Sequence, residues 1–389
     1  MKKITVALLY NSKQNAPHTD GEPWDAWNEL DSEKTAGQIE RALRAGGHEV
    51  IAMEGDVTLP QKLAHYKIDI AFNICEGHYG GSREAQVPAV LDMLRIPYTG
   101  AGVMTLALAL DKPMAKRVMA FYGLPTPLFQ TFITGDEPLD SRLKYPLFAK
   151  PSREGSGIGI SAKSVCRNAR ELREQVHELI RAYRQPALVE EFIQGREFTL
   201  GLLGNVTWNV RSPQNGHSGA VEPEMALAGA ENGGSKSPRG NGNGRATTIR
   251  RSLPLSVETQ PALRVFPPLE VDLSPCPEDQ AGLYTSVIKS QMYDVPKYLC
   301  PAPTTKALRA KLERLAVNAF AALECYDFAR VDFRVREETG EALILEVNPL
   351  AGLQEGISDI VMGAEAVGVD YPALINGILQ AALQRYGMH

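Results

Sequence analysis

The sequence predicts an α/β protein with more than one domain, on three observations. Short apolar runs rich in β-branched residues alternate with amphipathic helical patterns over the first hundred residues. A strand-like run ending at Lys150 opens into a loop of glycine and serine. Near the carboxyl terminus two further runs, 326–335 and 342–349, carry charged residues at alternate positions. At 389 residues the chain exceeds one small core, and 44% hydrophobic with 22% charged residues is ordinary for a globular protein.

Composition narrows the partners. A net charge of -5 and the lack of a lysine- or arginine-rich stripe argue against nucleic acid, so small molecules are expected. The apolar run after Met1 is too short for a signal peptide and no run reaches membrane-spanning length, which predicts a cytoplasmic protein without membrane association. Cys75, Cys166, Cys276, Cys300 and Cys325 are scattered and form no Cys-x-x-Cys pair. They read as reduced, mostly buried thiols.

Residues 3–10 read as a buried parallel strand, and 32–47 as the helix after it, with Ile39 and Leu43 on its apolar face and Gly46-Gly47 as its stop. Strands are expected at 49–53 and 68–74, and a helix over 83–95 that ends ahead of Pro97. This order calls for a parallel sheet. The connection 11–27 is much longer than usual and leaves the carboxyl end of a strand, where open α/β sheets bind ligands. It reads equally as a substrate-facing flap, with Trp24 and Trp27 as rigid contacts, or as a packed surface loop. The glycine-rich turn 73–86 brings backbone N–H groups to a helix start, a weak anion signal, and 97–102 makes a second tight connection.

Asp111 stands as a helix cap with Pro113 in the first turn, and the helix stops at Gly123 before Pro125 and Pro127, a boundary region between domains. Beyond it a strand ends at Lys150, a Gly/Ser turn follows, and a second strand is expected near Ile158. A fixed cation beside mobile backbone amides suits a phosphate grip, although a plain hairpin turn has the same composition. Asn168 and Glu171 have capping-box spacing ahead of a helix that buries Leu172, Val176, Leu179 and Ile180. Two strands over 187–200 then present Glu190, Glu191 and Glu197, acceptors for adenine and ribose donors. From 209 to 261 glycine, serine, asparagine and proline dominate, which predicts a mobile insertion. Residues 304–323 form an amphipathic helix with Leu308, Leu312, Leu315, Ala319 and Leu323 on one stripe, and a last helix covers 372–386.

The two runs near the carboxyl terminus read as a hairpin about the turn 337–340. A period of two puts Glu346 and Asn348 on one face and Leu345 and Val347 on the other, with Asp332 meeting the first pair from the neighbouring strand. Hard oxygen donors of this kind suit Mg²⁺ with waters and substrate phosphates. Arg330 shares the face of Asp332. A solvated surface hairpin shows the same alternation.

In chain order, Pro97-Tyr-Thr-Gly100, Asp111-Lys112, Ala149-Lys-Pro-Ser-Arg-Glu-Gly-Ser156, Leu188-Val-Glu-Glu191, Arg196-Glu-Phe-Thr199, Tyr298-Leu-Cys-Pro301, Ala329-Arg-Val-Asp332 and Leu345-Glu-Val-Asn348 carry a resemblance. The chain resembles the ATP-grasp superfamily, and within it the D-alanine:D-alanine ligase family. That resemblance implies an ATP-grasp fold behind a Rossmann-like amino-terminal domain, with domains at 1–111, 112–203 and 204–389. It implies a carboxylate–amine ligase that activates an amino acid, or a metabolite containing one, as an acyl phosphate, then forms an amide and releases ADP. By motif match Lys112 and Lys150 hold phosphates, the loop with Ser152, Gly155, Ser156 and Gly157 closes over them, Glu190, Glu191, Phe192 and Ile193 border adenine, and Glu197 takes the ribose. Asp332, Glu346 and Asn348 bind two Mg²⁺, with Mn²⁺ as a substitute. Arg330, Lys289, Ser156 and the Gly352 backbone make up the catalytic set.

Departures from the family pattern fall at the amino-acid pockets. The ω-loop carries Lys289-Ser290 where the family has Lys-Tyr. The glutamate for the first ammonium is replaced by candidates Glu29, Asp31 and Glu33. Glu76 stands near the usual histidine, and 350–358, with Gln354 and Ser358, replaces the segment that seats the second substrate. An altered-substrate ligase is therefore expected ahead of a genuine D-alanine:D-alanine ligase of peptidoglycan synthesis, a nucleotide-binding protein without turnover, or a phosphotransferase. The family often pairs as a homodimer through the amino-terminal domain.

Overall fold

The structure, a computed structural model, describes residues 3–206, 263–277, 280 and 282–388. The expected insertion over 209–261 lies outside the described residues. Strands β1 (Thr5–Tyr10), β2 (Glu49–Glu54) and β3 (Ile70–Ile74) form a parallel sheet in the order β2-β1-β3. Val6, Ala7, Leu8 and Leu9 are all fully buried, as expected of a central strand covered on both faces. Helix α1 (Glu33–Ala45) crosses from β1 to β2 and starts where the Ser32 hydroxyl accepts the Thr35 N–H. Helices α2 (Leu59–Ala64) and α3 (Gln86–Leu94) follow β2 and β3, α3 entered through a 3₁₀ turn at Arg83–Ala85.

Helix α4 (Val103–Leu110) was not expected. It is apolar on nearly every side, so its sequence shows no 3.6-residue alternation by which to recognise it. Helix α5 (Lys112–Phe121) begins at the expected cap, the Asp111 carboxylate accepting the Met114 N–H.

A second sheet is antiparallel, in the order β4-β7-β5-β6: β4 (Phe129–Phe132), β5 (Leu147–Pro151), β6 (Val165–Cys166) and β7 (Ala187–Glu191). Helix α6 (Ala169–Tyr183) covers one face, burying Leu172, Val176 and Leu179 against Leu147, Ala149 and Val189. No strand starts near Ile158. Ser156, Gly157 and Gly159 all take positive φ (49°, 73° and 74°), which breaks an extended chain, and the next strand is β6.

The third sheet holds β8 (Gly195–Gly204), β9 (Leu263–Val265), β10 (Leu269–Asp272), β11 (Lys297–Leu299), β12 (Phe328–Arg336) and β13 (Ala342–Asn348). Its order is β11-β10-β8-β12-β13, antiparallel throughout, with β9 beside β8. Helix α7 (Ser286–Gln291) lies before β11. Helix α8 (Lys306–Ala322) packs Leu312, Leu315 and Ala319 onto Phe198, Leu200, Val331 and Phe333. Helices α9 (Asp359–Glu365) and α10 (Tyr371–Arg385) return toward the first sheet, where Leu374, Ile375 and Ile378 share a core with Ile39 and Leu43.

Two close contacts join the first sheet to the third. Gly46 abuts α10 so tightly that a Cβ there would stand 2.0 Å from Asn376 Oδ1. At the connection 97–102, fully buried Asp327 accepts the Gly100 N–H at 2.9 Å and an Arg385 N–H at 2.6 Å, while Arg385 also donates to the Tyr98 carbonyl. Among the described residues no helix is long and apolar enough to cross a membrane. Cys75, Cys166 and Cys325 are buried and all five cysteines are free.

Candidate functional site

The hairpin of β12 and β13 supplies one wall of a cleft between the second and third sheets. Asp332 pairs directly with Glu346 and Arg330 with Asn348. The register then slips, Phe333 facing Ile344, so Leu345 has no opposite number. This β-bulge corrects the strict alternation read from the sequence: Leu345 and Glu346 both line the cleft. Asp332 accepts from Arg330 Nε and Nη2 at 2.8 Å each, from Thr199 Oγ1 at 2.7 Å and from Asn348 Nδ2 at 2.9 Å. Asn348 therefore has its amide oxygen free for another partner.

The opposite wall comes from β5 and β7. Glu190 lies 3% exposed between two lysines, Oε1 at 2.8 Å from Lys150 Nζ and Oε2 at 2.8 Å from Lys116 Nζ. Burial would push the Glu190 carboxyl up, but the two ammonium groups outweigh it and hold it down. For Lys116 burial wins, with the charge of Lys150 adding to it, and its ammonium is pushed down, whereas Glu190, Glu346 and Glu197 together outweigh burial at Lys150 and hold it up. Glu190, expected at the adenine, thus spends its carboxylate on fixing Lys150. Lys116 escaped the sequence reading, yet Lys112, Ala115, Lys116 and Met119 are the buried face of α5 at helical spacing. A lysine on that stripe was the available signal.

Positive charge converges on Glu346. Lys112 Nζ stands 3.4 Å from its carboxylate and donates to the Glu154 carbonyl at 2.6 Å. Burial acts to raise the Glu346 carboxyl, yet Lys112, Lys150, Lys289 and Arg330 hold it far below the usual range, so it is ionised at any physiological pH. Lys289, on α7, lines the cleft with its ammonium 4.4 Å above the Tyr284 ring. Arg330 would be pushed down by burial, but Asp332 and Asp359, the latter 3.6 Å from Nη1, hold it protonated. Asp359 was missed by sequence reading, hidden in the first turn of a helix where an acidic residue is ordinary.

At the other end, Phe148 and Phe192 stack with ring centroids 6.2 Å apart. Glu191 pairs with Arg336 at 2.9 Å, and Glu197 Oε2 accepts from Arg334 Nη2 at 2.8 Å while Arg334 also binds the Ile193 carbonyl. Arg334 was also missed, although it continues the alternation of Arg330 and Asp332. Ser152, 1% exposed, has an Oγ with no hydrogen-bond partner among the described residues. The cleft is narrow: its free volume of about 100 Å³ is below the roughly 300 Å³ at which ligand pockets begin.

The glycine loop that roofs the cleft is held from outside by the long connection 11–31. Asp25, 3% exposed, accepts the Gly159 N–H and the Tyr183 hydroxyl, each at 3.0 Å. Glu29 accepts the Gly155 N–H at 3.1 Å and Arg83 Nε at 2.7 Å, and Asn28 donates to Ser286 on α7 at 2.9 Å. Gly157 sits so close to α7 that a Cβ would stand 2.9 Å from the Ser286 nitrogen. Trp27 packs edge-on against His78 and Tyr79, whereas Trp24 is 60% exposed and touches neither ring.

Several expected site residues fall elsewhere. Ser156 is exposed at the crest of the loop and is not part of the cleft lining. Glu33 is exposed in the first turn of α1, because Ser32 takes the cap and turns the next residue outward; Glu29, from the irregular connection, is the buried acid at the loop. Glu76 lies two residues beyond β3 in negative surroundings, its carboxyl pushed well up by burial and then by Glu84 and Glu29. Gln354 and Ser358 are bonded to one another, the Gln354 N–H donating to Ser358 Oγ at 2.9 Å, and Gly352 is exposed. None of these six lines the cleft.

Known proteins share both sequence and fold. The family model described as D-ala D-ala ligase C-terminus matches residues 118–218 and 265–380. An uncharacterized protein of Sinorhizobium fredii, y4sG, is 30% identical over 94% of this chain and 90% of its own length. A D-alanine–D-alanine ligase of a Janthinobacterium species is 31% identical over 82% of this chain and 81% of its own. The crystal structure of the Bacillus anthracis D-alanine–D-alanine ligase complexed with ATP superposes with a TM-score of 0.66 at 16% identity, covering 99% of both chains, which is a likeness of fold.

Proposed function

The chain belongs to the D-alanine–D-alanine ligase family, and on that premise we propose that it is an ADP-forming carboxylate–amine ligase acting on an amino acid or an amino-acid-containing metabolite. The observation that carries this reading is the cleft itself: Lys112, Lys150, Lys289 and Arg330 converge on Glu346, which they hold ionised and which pairs directly with Asp332 across the hairpin. Such a balance suits a polyanion together with hard cations.

In the proposed reaction a carboxylate oxygen attacks the γ-phosphorus of ATP, the bond from that phosphorus to the bridging oxygen breaks, and ADP leaves. The amine then attacks the acyl carbon, loses a proton, and expels phosphate with the original carboxylate oxygen. Lys112, Lys150 and Lys289 hold phosphate oxygens, and Arg330, kept protonated by Asp332 and Asp359, stabilises the negative charge that develops on the acyl group. Phe148, Phe192 and Ile193 border the adenine, and Glu197 uses its remaining oxygen for the ribose. The Ser152 hydroxyl is a further donor for phosphate.

The donor set fits Mg²⁺. Asp332 and Glu346 offer carboxylate oxygens from facing strand positions and Asn348 an amide oxygen. Among the described residues no three His, Cys, Asp or Glu side chains gather as a metal cage, so phosphate oxygens and water complete the shell. Bound Mg²⁺ would neutralise phosphate charge. A cytoplasmic location and a homodimer formed through the amino-terminal sheet belong to the same proposal.

Relatives named D-alanine–D-alanine ligase favour D-alanine for both substrates, while Lys289-Ser290, Glu76 and the segment 350–358, which depart from the family pattern, favour others. Incubating the full chain with ATP, Mg²⁺ and pairs of D- and L-amino acids separates the two. Robust D-alanyl-D-alanine would overturn the altered-substrate reading, and no ADP or amide from any pair would overturn the ligase reading.

A further inference from the structure

Beside the nucleotide cleft lies a second and roomier cavity, of about 470 Å³. Glu154 lines both. One wall is the aromatic group of Trp27, His78 and Tyr79, with the His78 ring 5.9 Å from Trp27 and the Tyr79 ring 6.4 Å from it. Another is the end of α6, with Tyr183 and Gln185. The floor toward the cleft is Arg83, which binds Glu29, Glu154 Oε2 at 2.9 Å and the Arg153 carbonyl at 2.9 Å.

We propose that this cavity receives the side chain of the amino acid whose carboxylate is activated, and that this substrate is an α-amino acid with a large side chain, aromatic or extended. The inference rests on the ligase reading and deepens it. A cavity of this size falls within the range of built ligand pockets, and an alanine methyl would leave nearly all of it to water.

Glu29 and Glu154 share Arg83, and Arg153 binds Asp111 at 2.8 Å, so these wall charges are spent on one another. Glu22 accepts from Thr19 at 2.6 Å and the Trp27 indole at 2.9 Å, and Arg184 is exposed at the rim. The aromatic wall adds edges and faces for a ring to pack on.

The test uses hydroxylamine as surrogate amine, so the unknown amine is not needed. Hydroxamate and ADP are measured for the D and L forms of alanine, leucine, phenylalanine and tyrosine, and binding in the presence of a non-hydrolysable ATP analogue is read from tryptophan fluorescence, with Trp27→Phe as control. At least a tenfold higher kcat/KM for a large side chain than for alanine is expected. Ala26→Trp, which fills the cavity, is expected to shift that ratio toward alanine by at least tenfold.

Alanine used as well as the large amino acids, or a loss in Ala26→Trp that is equal for all, overturns the inference and leaves the ligase reading standing. A large amino acid that binds and quenches Trp27 without forming hydroxamate supports the cavity assignment and overturns the ligase reading. Neither binding nor turnover overturns both.

Discussion

The nucleotide cleft and the cavity beside it are built on opposite plans. The cleft is set on regular strands, is narrow, and is crowded with ion pairs, four cations surrounding Glu346. The neighbouring cavity is walled chiefly by irregular chain, 19–29 and 78–83, is several times larger, and has an aromatic wall. Strands fix donors to a fraction of an ångström, which a shared nucleotide chemistry needs; loops can be exchanged without disturbing a sheet, which a private substrate needs.

If that contrast is real, substitutions in the cleft should do most damage. Glu190→Gln leaves Lys116 and Lys150 without their common counter-charge in a buried place, and should cost about 3–5 kcal/mol in denaturant unfolding as well as activity. A variant as stable as the parent would show that Glu190 does not hold the lysines. Glu346→Gln removes the carboxylate that Lys112, Lys150, Lys289 and Arg330 surround, so it should unfold more readily than the parent and release ADP about 10²–10³-fold more slowly. Undiminished turnover would remove Glu346 from the metal site.

Effects at the boundary should be smaller and of a different kind. Asp25→Ala removes the acceptor for Gly159 and Tyr183, worth about 1–3 kcal/mol of loop closure, and should raise KM for ATP with little change in kcat. Equal losses in both parameters would point to general disruption instead. Glu84→Gln probes the acids behind the cavity. Burial, then the charge of Glu29, raises the Glu84 carboxyl from 4.5 to about 8. Its proton is held more tightly folded than unfolded, so the destabilisation is absent below about 4.5, grows as pH rises, and is complete above about 8. The glutamine variant should therefore gain stability over the parent across that window, by up to about 1.4 kcal/mol per pH unit, and a pH-independent difference would contradict the shift. Glu33→Gln, on the solvent side of α1, should change neither stability nor activity beyond about 0.5 kcal/mol.

The same contrast explains what could be read from the sequence. Strand and helix positions were legible because burial imposes a period: the β12–β13 hairpin, the Asp111 cap and the stripe of α8 all follow their patterns. Lys112, Lys150, Asp332 and Glu346 come together because their spacing is locked to those strands and helices. The bulge at Leu345 leaves no mark on the alternation, and the apolar α4 carries no period at all. In the irregular 11–31 and 350–358 spacing carries no geometry, so the sequence could not separate Glu29, which binds the Gly155 N–H, from Asp31 and Glu33, nor fix what Gln354 and Ser358 face. Asp25, Arg83 and Glu154 join only through contacts between segments far apart in sequence.

Transfer of a carboxylate oxygen to phosphate tests acyl-phosphate chemistry in this cleft most directly. The full chain is turned over with ATP, Mg²⁺, an amine and a substrate whose carboxylate carries ¹⁸O, and the released phosphate is weighed by mass spectrometry. One labelled oxygen in each phosphate, matched by one ADP and one amide, is the expected result. Unlabelled phosphate released with ADP would mean that water, and not the substrate carboxylate, attacks ATP.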